Sequence, residues 1–149
     1  MSGKPSETVI RAWARLLRAQ RLALADVEAA LKKAGLPPLI WYDALLEIER
    51  AGENGVRPFE LERAMLLAQY NLSRLLDRIE HEGYIEREAA RDDGRGRIVR
   101  MTEKGRAMRR KMWPVYARAI ETVIGRSLTS EQVAALDGAL GSLIEGLTR

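Results

Sequence analysis

The chain has 149 residues, no cysteine and a single histidine, His81. Disulfides, thiol redox sensing, zinc fingers and cysteine nucleophiles are thereby excluded, since each needs a sulfur or several imidazoles. Aromatic residues make up only 5% of the chain, so stacking surfaces are few. No apolar run is long enough to span a bilayer, and the N-terminal MSGKPSETV lacks the apolar core of a signal peptide. The expectation is a cytoplasmic protein with no membrane partner. Glycine loops of the Walker or dinucleotide type are missing as well. The acidic pair Asp92-Asp93 falls on an exposed turn rather than in a cleft. An enzyme is not expected, and neither a catalytic residue, a metal nor a cofactor is assigned.

What remains is a helical chain with a polar, basic interruption. Hydrophobic residues make up 46% of the sequence, enough for the core of one domain. The net charge of +4 is modest, but its distribution is uneven. Between Arg87 and Lys111 there are ten cations against four acids, a local charge of +6 that leaves −2 for the rest. A patch of this kind suits a phosphate-facing surface.

The stretch from Leu72 to Gly105 organises the reading. Leu72, Leu75, Leu76 and Ile79 recur at helical spacing and give one apolar face. Gly83 stops that helix. Tyr84-Ile85-Glu86-Arg87 and Ile98-Val99-Arg100-Met101 have the composition of two short strands. The segment from Arg91 to Arg97 between them holds two glycines and no apolar residue, so it reads as a hairpin tip. Thr102 then caps a new helix. An arginine-rich tip by itself is a solvated turn. Behind a helix that fits the major groove, the same tip can enter the narrower and more negative minor groove.

These residues resemble the MarR family of bacterial transcription regulators. The resemblance rests on the run Leu75-Leu76-Asp77-Arg78-Ile79-Glu80-His81-Glu82-Gly83-Tyr84-Ile85-Glu86-Arg87, on Asp93-Gly94-Arg95, and on Met101-Thr102-Glu103-Lys104-Gly105, in that order. It is strongest over about residues 56 to 111. It implies a mainly α, α+β fold: a winged helix-turn-helix lobe with a two-stranded β-wing, plus a helical dimerisation region built from both termini. The implied division is 52–102 for the DNA-binding lobe and 5–51 with 103–149 for dimerisation. It also implies that Asp93 orients Arg95 in the minor groove, with Arg91 and Arg97 on phosphates. The implied partners are double-stranded DNA, a second copy of the chain, and a small aromatic or lipophilic anion as effector. The implied role is a homodimeric regulator, a repressor, on a pseudo-palindromic operator.

Along the chain, residues 5 to 34 read as one long amphipathic helix with Ser6 as its N-cap, closed by Gly35. Its apolar stripe exceeds what so small a domain can bury, which points to a partner chain. A second helix spans about 39 to 51. Val56-Arg57-Pro58 is a candidate third strand, and helices over 59–66 and 67–82 form a helix-turn-helix. At Leu66-Leu67-Ala68 the family's usual glycine and serine are both missing. With the leucines inward, Gln69, Tyr70, Asn71, Ser73, Arg74 and Arg78 face outward and are the candidate base- and phosphate-contacting residues. A long helix from Thr102 to about 126, interrupted by Pro114, and a capped final helix from Thr129 complete the chain.

The aromatic residues Trp13, Trp41, Tyr42, Trp113 and Tyr116, with Arg11, Arg15 and Asp43, are candidates for an effector pocket; plain core or dimer packing is the competing assignment. The alternative function is a winged-helix module that binds protein rather than DNA. Its mark is an apolar outer face over 69–78, where this chain carries Gln, Asn, Ser and Arg.

Overall fold

The computed structural model describes residues 3–67, 69–89 and 97–148, without the side chains of Gln69 and Tyr70. The elements in order are α1 (Glu7–Lys33), α2 (Leu39–Arg50), α3 (Pro58–Met65), α4 (Gln69–His81), β1 (Ile85–Ala89), β2 (Arg97–Met101), α5 (Glu103–Ile120) and α6 (Ser130–Leu147). The fold is mainly helical with one two-stranded antiparallel sheet, as expected. Packing divides the chain into two compact units, Leu31–Val115 and Met1–Ala30 with Tyr116–Arg149.

The unit from 31 to 115 holds the core. Leu72, Leu75, Leu76 and Ile79 of α4 are buried against Ala44, Leu45 and Ile48 of α2, Leu61 of α3, and Tyr84, Ile85, Val99 and Met101 of the hairpin. The period-3.6 leucine pattern of α4 thus does what amphipathicity dictates, hiding one face and leaving the other wet. α2 packs onto α3 and β2. Its apolar face therefore belongs to the winged-helix core, although the division implied by the resemblance grouped it with the terminal helices.

β1 and β2 pair in the register Ile85↔Met101, Arg87↔Val99 and Ala89↔Arg97, so alternate residues Ile85, Val99 and Met101 point into the core. The candidate third strand shrinks to one bridge. Val56 exchanges two backbone hydrogen bonds with Val99, at 3.0 and 2.8 Å. Arg57 is instead the cap of α3 and Pro58 its first residue, because proline fits the first helical turn. The Glu60 carboxylate accepts from the Arg57 N–H at 3.0 Å and closes that start.

The hairpin hands over to α5 through Thr102. Its hydroxyl donates to the Gly83 carbonyl at 2.6 Å and accepts from the Gly105 N–H at 3.0 Å, while its own N–H donates to the Tyr84 carbonyl at 3.1 Å. A Cβ on Gly105 would collide with that Tyr84 carbonyl. The Thr-x-x-Gly pattern at 102–105 is therefore a packing device locking the base of the wing to the next helix.

The terminal unit buries much less. Among its described residues only Val27 and Ala119 are buried large or small apolar side chains, while Val9, Ile10, Trp13, Leu22, Leu24, Ile120, Leu143, Ile144 and Leu147 are exposed. Ser6 caps α1, its hydroxyl accepting from the Val9 N–H at 3.1 Å. The long helix expected to run to about 126 keeps α-geometry only to Ile120 and widens into a π-turn over Glu121–Gly125. The Arg126 N–H reaches back to the Glu121 carbonyl at 2.9 Å, the i→i−5 bond of that turn. Thr129 and Gln132 cap α6 reciprocally, at 3.1 and 2.9 Å. A hollow of about 500 Å³ in this unit is lined mainly by apolar residues, including Leu22, Val123, Leu128 and Leu136.

Candidate nucleic-acid interface

The candidate interface is the outer face of α4 and the hairpin beside it. Asn71, Ser73, Arg74 and Arg78 are all exposed, on the face opposite the buried leucines. Gln69 and Tyr70 form the first turn of the same helix, their side chains lying outside the described residues. Asn71, Arg74 and Arg78 share the rim of a shallow hollow of about 330 Å³ with Ile40, Leu67 and Leu75. Amide and guanidinium groups at steps of three and four on one helix present bidentate donors in a row, the arrangement that reads base edges. Of the wing candidates, Arg91, Asp93 and Arg95 lie outside the described residues. Arg97 opens β2 and is exposed.

The basic patch counted from sequence is divided by the fold into two populations. Arg87 is turned inward onto α4: its guanidinium donates to Glu80 at 2.7 and 3.2 Å and to Asp77 at 2.6 Å. The Arg87 side chain keeps only 16% exposure, and this pairing ties β1 to the second half of α4. Hydrogen bonding from Arg87 holds the Glu80 carboxyl below the usual carboxylate range, against a smaller opposing effect of burial. The same bond raises the Arg87 guanidinium above its ordinary value. Arg100 pairs with Glu88 across the hairpin and donates to the Glu53 carbonyl at 2.7 Å. Arg109 pairs with Glu49 of α2 at 2.5 Å, which with the Tyr42 hydroxyl raises its guanidinium in turn. Lys104 lies over the Tyr84 ring, 5.6 Å from its centroid. Within the described part of the patch, Arg97, Arg110 and Lys111 are exposed.

The clamp on Arg87 escaped the sequence reading. Its signal was present, since Asp77 and Glu80 stand three apart on one helix face and Arg87 follows on the adjoining strand. A residue sum cannot tell a cation aimed at phosphate from one aimed at a neighbouring carboxylate.

The effector candidates fall in both compact units. Arg11, Trp13 and Arg15 are exposed on α1, Trp13 at 61%, and Tyr116 is half-buried in the same unit. In the other unit Tyr42 is buried and stacks on Trp113, ring centroids 6.1 Å apart at 21°. Trp41 meets Tyr84 edge to face, also at 6.1 Å. Asp43 lines a small hollow with Ile40, Leu46, Glu47, Ala64 and Met65. Trp41 and Tyr42 thus contribute to packing.

A helix-turn-helix whose second helix is followed by a two-stranded wing defines the class of winged helix-turn-helix proteins. The family model described as MarR family matches residues 34–96. The transcriptional repressor MprA of Escherichia coli K12 is 26% identical over 113 residues, covering 76% of this chain and 64% of that protein. The match thus spans less than two thirds of that relative's length. Among solved structures, AbsC, a MarR family transcriptional regulator from Streptomyces coelicolor, superposes with a TM-score of 0.82 at 26% identity, covering 98% of both chains. Sco3205, a MarR family regulator from the same organism solved in complex with DNA, gives 0.86 at 23% identity, covering 98% of this chain and 95% of that one. Over residues 34–96 the chain is similar to the MarR family, and it shares that family's winged helix-turn-helix fold.

Proposed function

We propose that the protein is a homodimeric transcriptional regulator that represses by binding a pseudo-palindromic DNA operator. The observation that carries this reading is the polar outer face of α4, where Asn71, Ser73, Arg74 and Arg78 are exposed beside a basic hairpin. The second helix of such a motif lies in the major groove and presents its first turns to base edges. In this reading Gln69, Tyr70, Asn71, Ser73, Arg74 and Arg78 face the groove, Arg95 oriented by Asp93 enters the minor groove, and Arg91 and Arg97 hold phosphates. Residues 52–102 supply the DNA-binding lobe. The relatives named a repressor and solved with DNA support this assignment.

The terminal segments within 5–51 and 103–149 supply the dimer interface. Nine large apolar side chains stand exposed on α1, at the end of α5 and on α6, more than a lone chain leaves in water without a partner. Two-fold symmetry then sets half-sites about one helical turn of DNA apart. The effector is a small aromatic or lipophilic anion that meets the exposed Trp13 of α1, while Arg11 and Arg15, four residues apart, share a different face of that helix. It releases DNA by favouring a dimer whose recognition helices no longer match the half-site spacing, which takes roughly 3–5 kcal/mol of differential affinity.

Selection of bound fragments from a random-sequence DNA library tests the reading, repeated with a panel of aromatic carboxylates. Enrichment of a two-fold symmetric sequence is expected. Recovery of DNA with no shared sequence would overturn sequence-specific binding. A panel in which no compound both quenches tryptophan fluorescence and weakens operator binding would overturn the effector.

A further inference from the structure

Among the described residues α1, α3 and α4 end in the same left-handed turn, two of them at a glycine and one at a leucine. α1 closes at Gly35 (φ +72°), where the Leu36 N–H donates to the Leu31 carbonyl at 2.9 Å. α4 closes at Gly83 (φ +82°), where the Tyr84 N–H donates to the Ile79 carbonyl at 3.1 Å. α3 closes at Leu66 (φ +55°), where the Leu67 N–H donates to the Glu62 carbonyl at 3.2 Å. This six-to-one bond is the mark of a turn that glycine fills because a Cβ crowds the backbone there. Leu66 is the only non-glycine residue with positive φ among the described residues.

Packing does not explain the leucine. Leu66 is 88% exposed, more than any other large apolar side chain described, and its neighbour Leu67 is the one packed against the core. A strained residue whose side chain does nothing for the fold points to a role outside it. Its place says which: Leu66 stands three residues before Gln69, at the N-terminal end of α4, the end that enters the major groove first. Asn71, Arg74 and Arg78 offer hydrogen bonds on that helix, whereas Leu66 offers only apolar surface. The one apolar group on a major-groove base edge is the 5-methyl of thymine.

We propose that Leu66 is a specificity-determining residue that packs its side chain on a thymine methyl in each half-site, held there by the left-handed turn between α3 and α4. This rests on the DNA-binding reading above.

The test uses the full chain and an operator selected by the wild-type protein from unmodified synthetic DNA, so that thymine is the sole source of methyl groups. Each thymine in turn is replaced by deoxyuridine, which removes the methyl and nothing else. At one position per half-site the wild type should lose about threefold to fivefold in affinity, the worth of one buried methyl. Leu66→Met should lose a similar factor, and Leu66→Gly should lose nothing at that position. Leu66→Gly should melt at or above the wild-type temperature, since glycine suits the turn; a role in folding alone predicts the reverse. If Leu66→Gly does not fold, Leu66→Asn takes its place, because asparagine tolerates the left-handed region. Equal sensitivity of wild type and variant at every thymine overturns the inference while leaving DNA binding intact. A uniform loss for Leu66→Gly on all sequences also overturns it, since the contact is then to backbone. Failure of the wild type to select any sequence overturns the DNA-binding reading itself.

Discussion

The two compact units differ in how they treat apolar side chains. Among the described residues, sixteen of the eighteen buried apolar ones lie in the unit from 31 to 115, whereas nine of the twelve large apolar ones that stand exposed belong to the terminal unit. The first unit has a core of its own, closed by α2, α3, α4 and the hairpin. The terminal unit has helices with apolar faces and little to put against them. The difference teaches that helix formation and burial are separate achievements. Periodicity and caps form α1 and α6, but an apolar stripe contributes stability only once something covers it.

The largest effect should come from opening the self-sufficient core. Ile79→Ala removes a fully buried side chain between α4, α2 and the hairpin, and should cost about 2–5 kcal/mol in urea unfolding. A cost below about 1 kcal/mol would show that this unit is less well packed than its burial implies.

The terminal unit should respond in association rather than in folding of the lobe. Ile144 and Leu147, 59% and 75% exposed on α6, are expected to be covered by a second copy. Replacing both by Glu should weaken the dimer by about 3 kcal/mol, from the apolar area lost, and leave unfolding of the winged lobe unchanged. Sedimentation equilibrium at micromolar concentration would show it, and a wild type that is already monomeric would break the comparison at its root.

Arg95→Ala should weaken operator binding by about 1–3 kcal/mol at fixed salt without changing oligomeric state. Unchanged affinity would remove the wing tip from the interface. Arg97→Ala should instead lower the salt dependence by roughly one counterion, since a phosphate contact is lost.

The smallest effect concerns Glu80. Its carboxyl is held below the ordinary 4.5 by Arg87, so it stabilises the fold above that value. The contribution is lost as pH falls below 4.5 through the lowered folded value. Glu80 and Asp77 are 35% and 64% exposed, so solvent screening keeps the contribution below about 1 kcal/mol. Glu80→Gln should flatten this part of the stability profile below pH 4.5, read by thermal melting. A profile identical to wild type would make the clamp energetically silent.

The sequence was most legible where a local rule and a tertiary need coincide. The leucines of α4 specify both a helix and its buried face, and Thr129 with Gln132 specify the start of α6. Thr102 was legible as a cap, but its grip on Gly83 across the base of the wing was not, because that partner lies nineteen residues away. The third strand was over-read, since Val56 alone meets Val99 and Pro58 is held by the helix that follows. The π-turn at Glu121–Gly125 had no signal, as an i→i−5 bond leaves no period in the residues.

By itself the sequence determined the main helices, the two strands of the wing, their order and the exposed face of α4 at Asn71, Ser73, Arg74 and Arg78, because helix and strand periods are written in neighbouring residues. It also determined which chemistries are impossible, since a chain without cysteine cannot acquire one by folding. Only the tertiary structure decided which arginines are spent on carboxylates and which face water, because a guanidinium chooses its partner by distance in space. It alone placed α2 in the core of the winged lobe, and it alone gave Leu66, where the resemblance already implied a glycine, its left-handed backbone and exposed side chain. Whether a side chain is strained, covered or exposed depends on backbone angles and on distant neighbours, and neither is a property of the residue type.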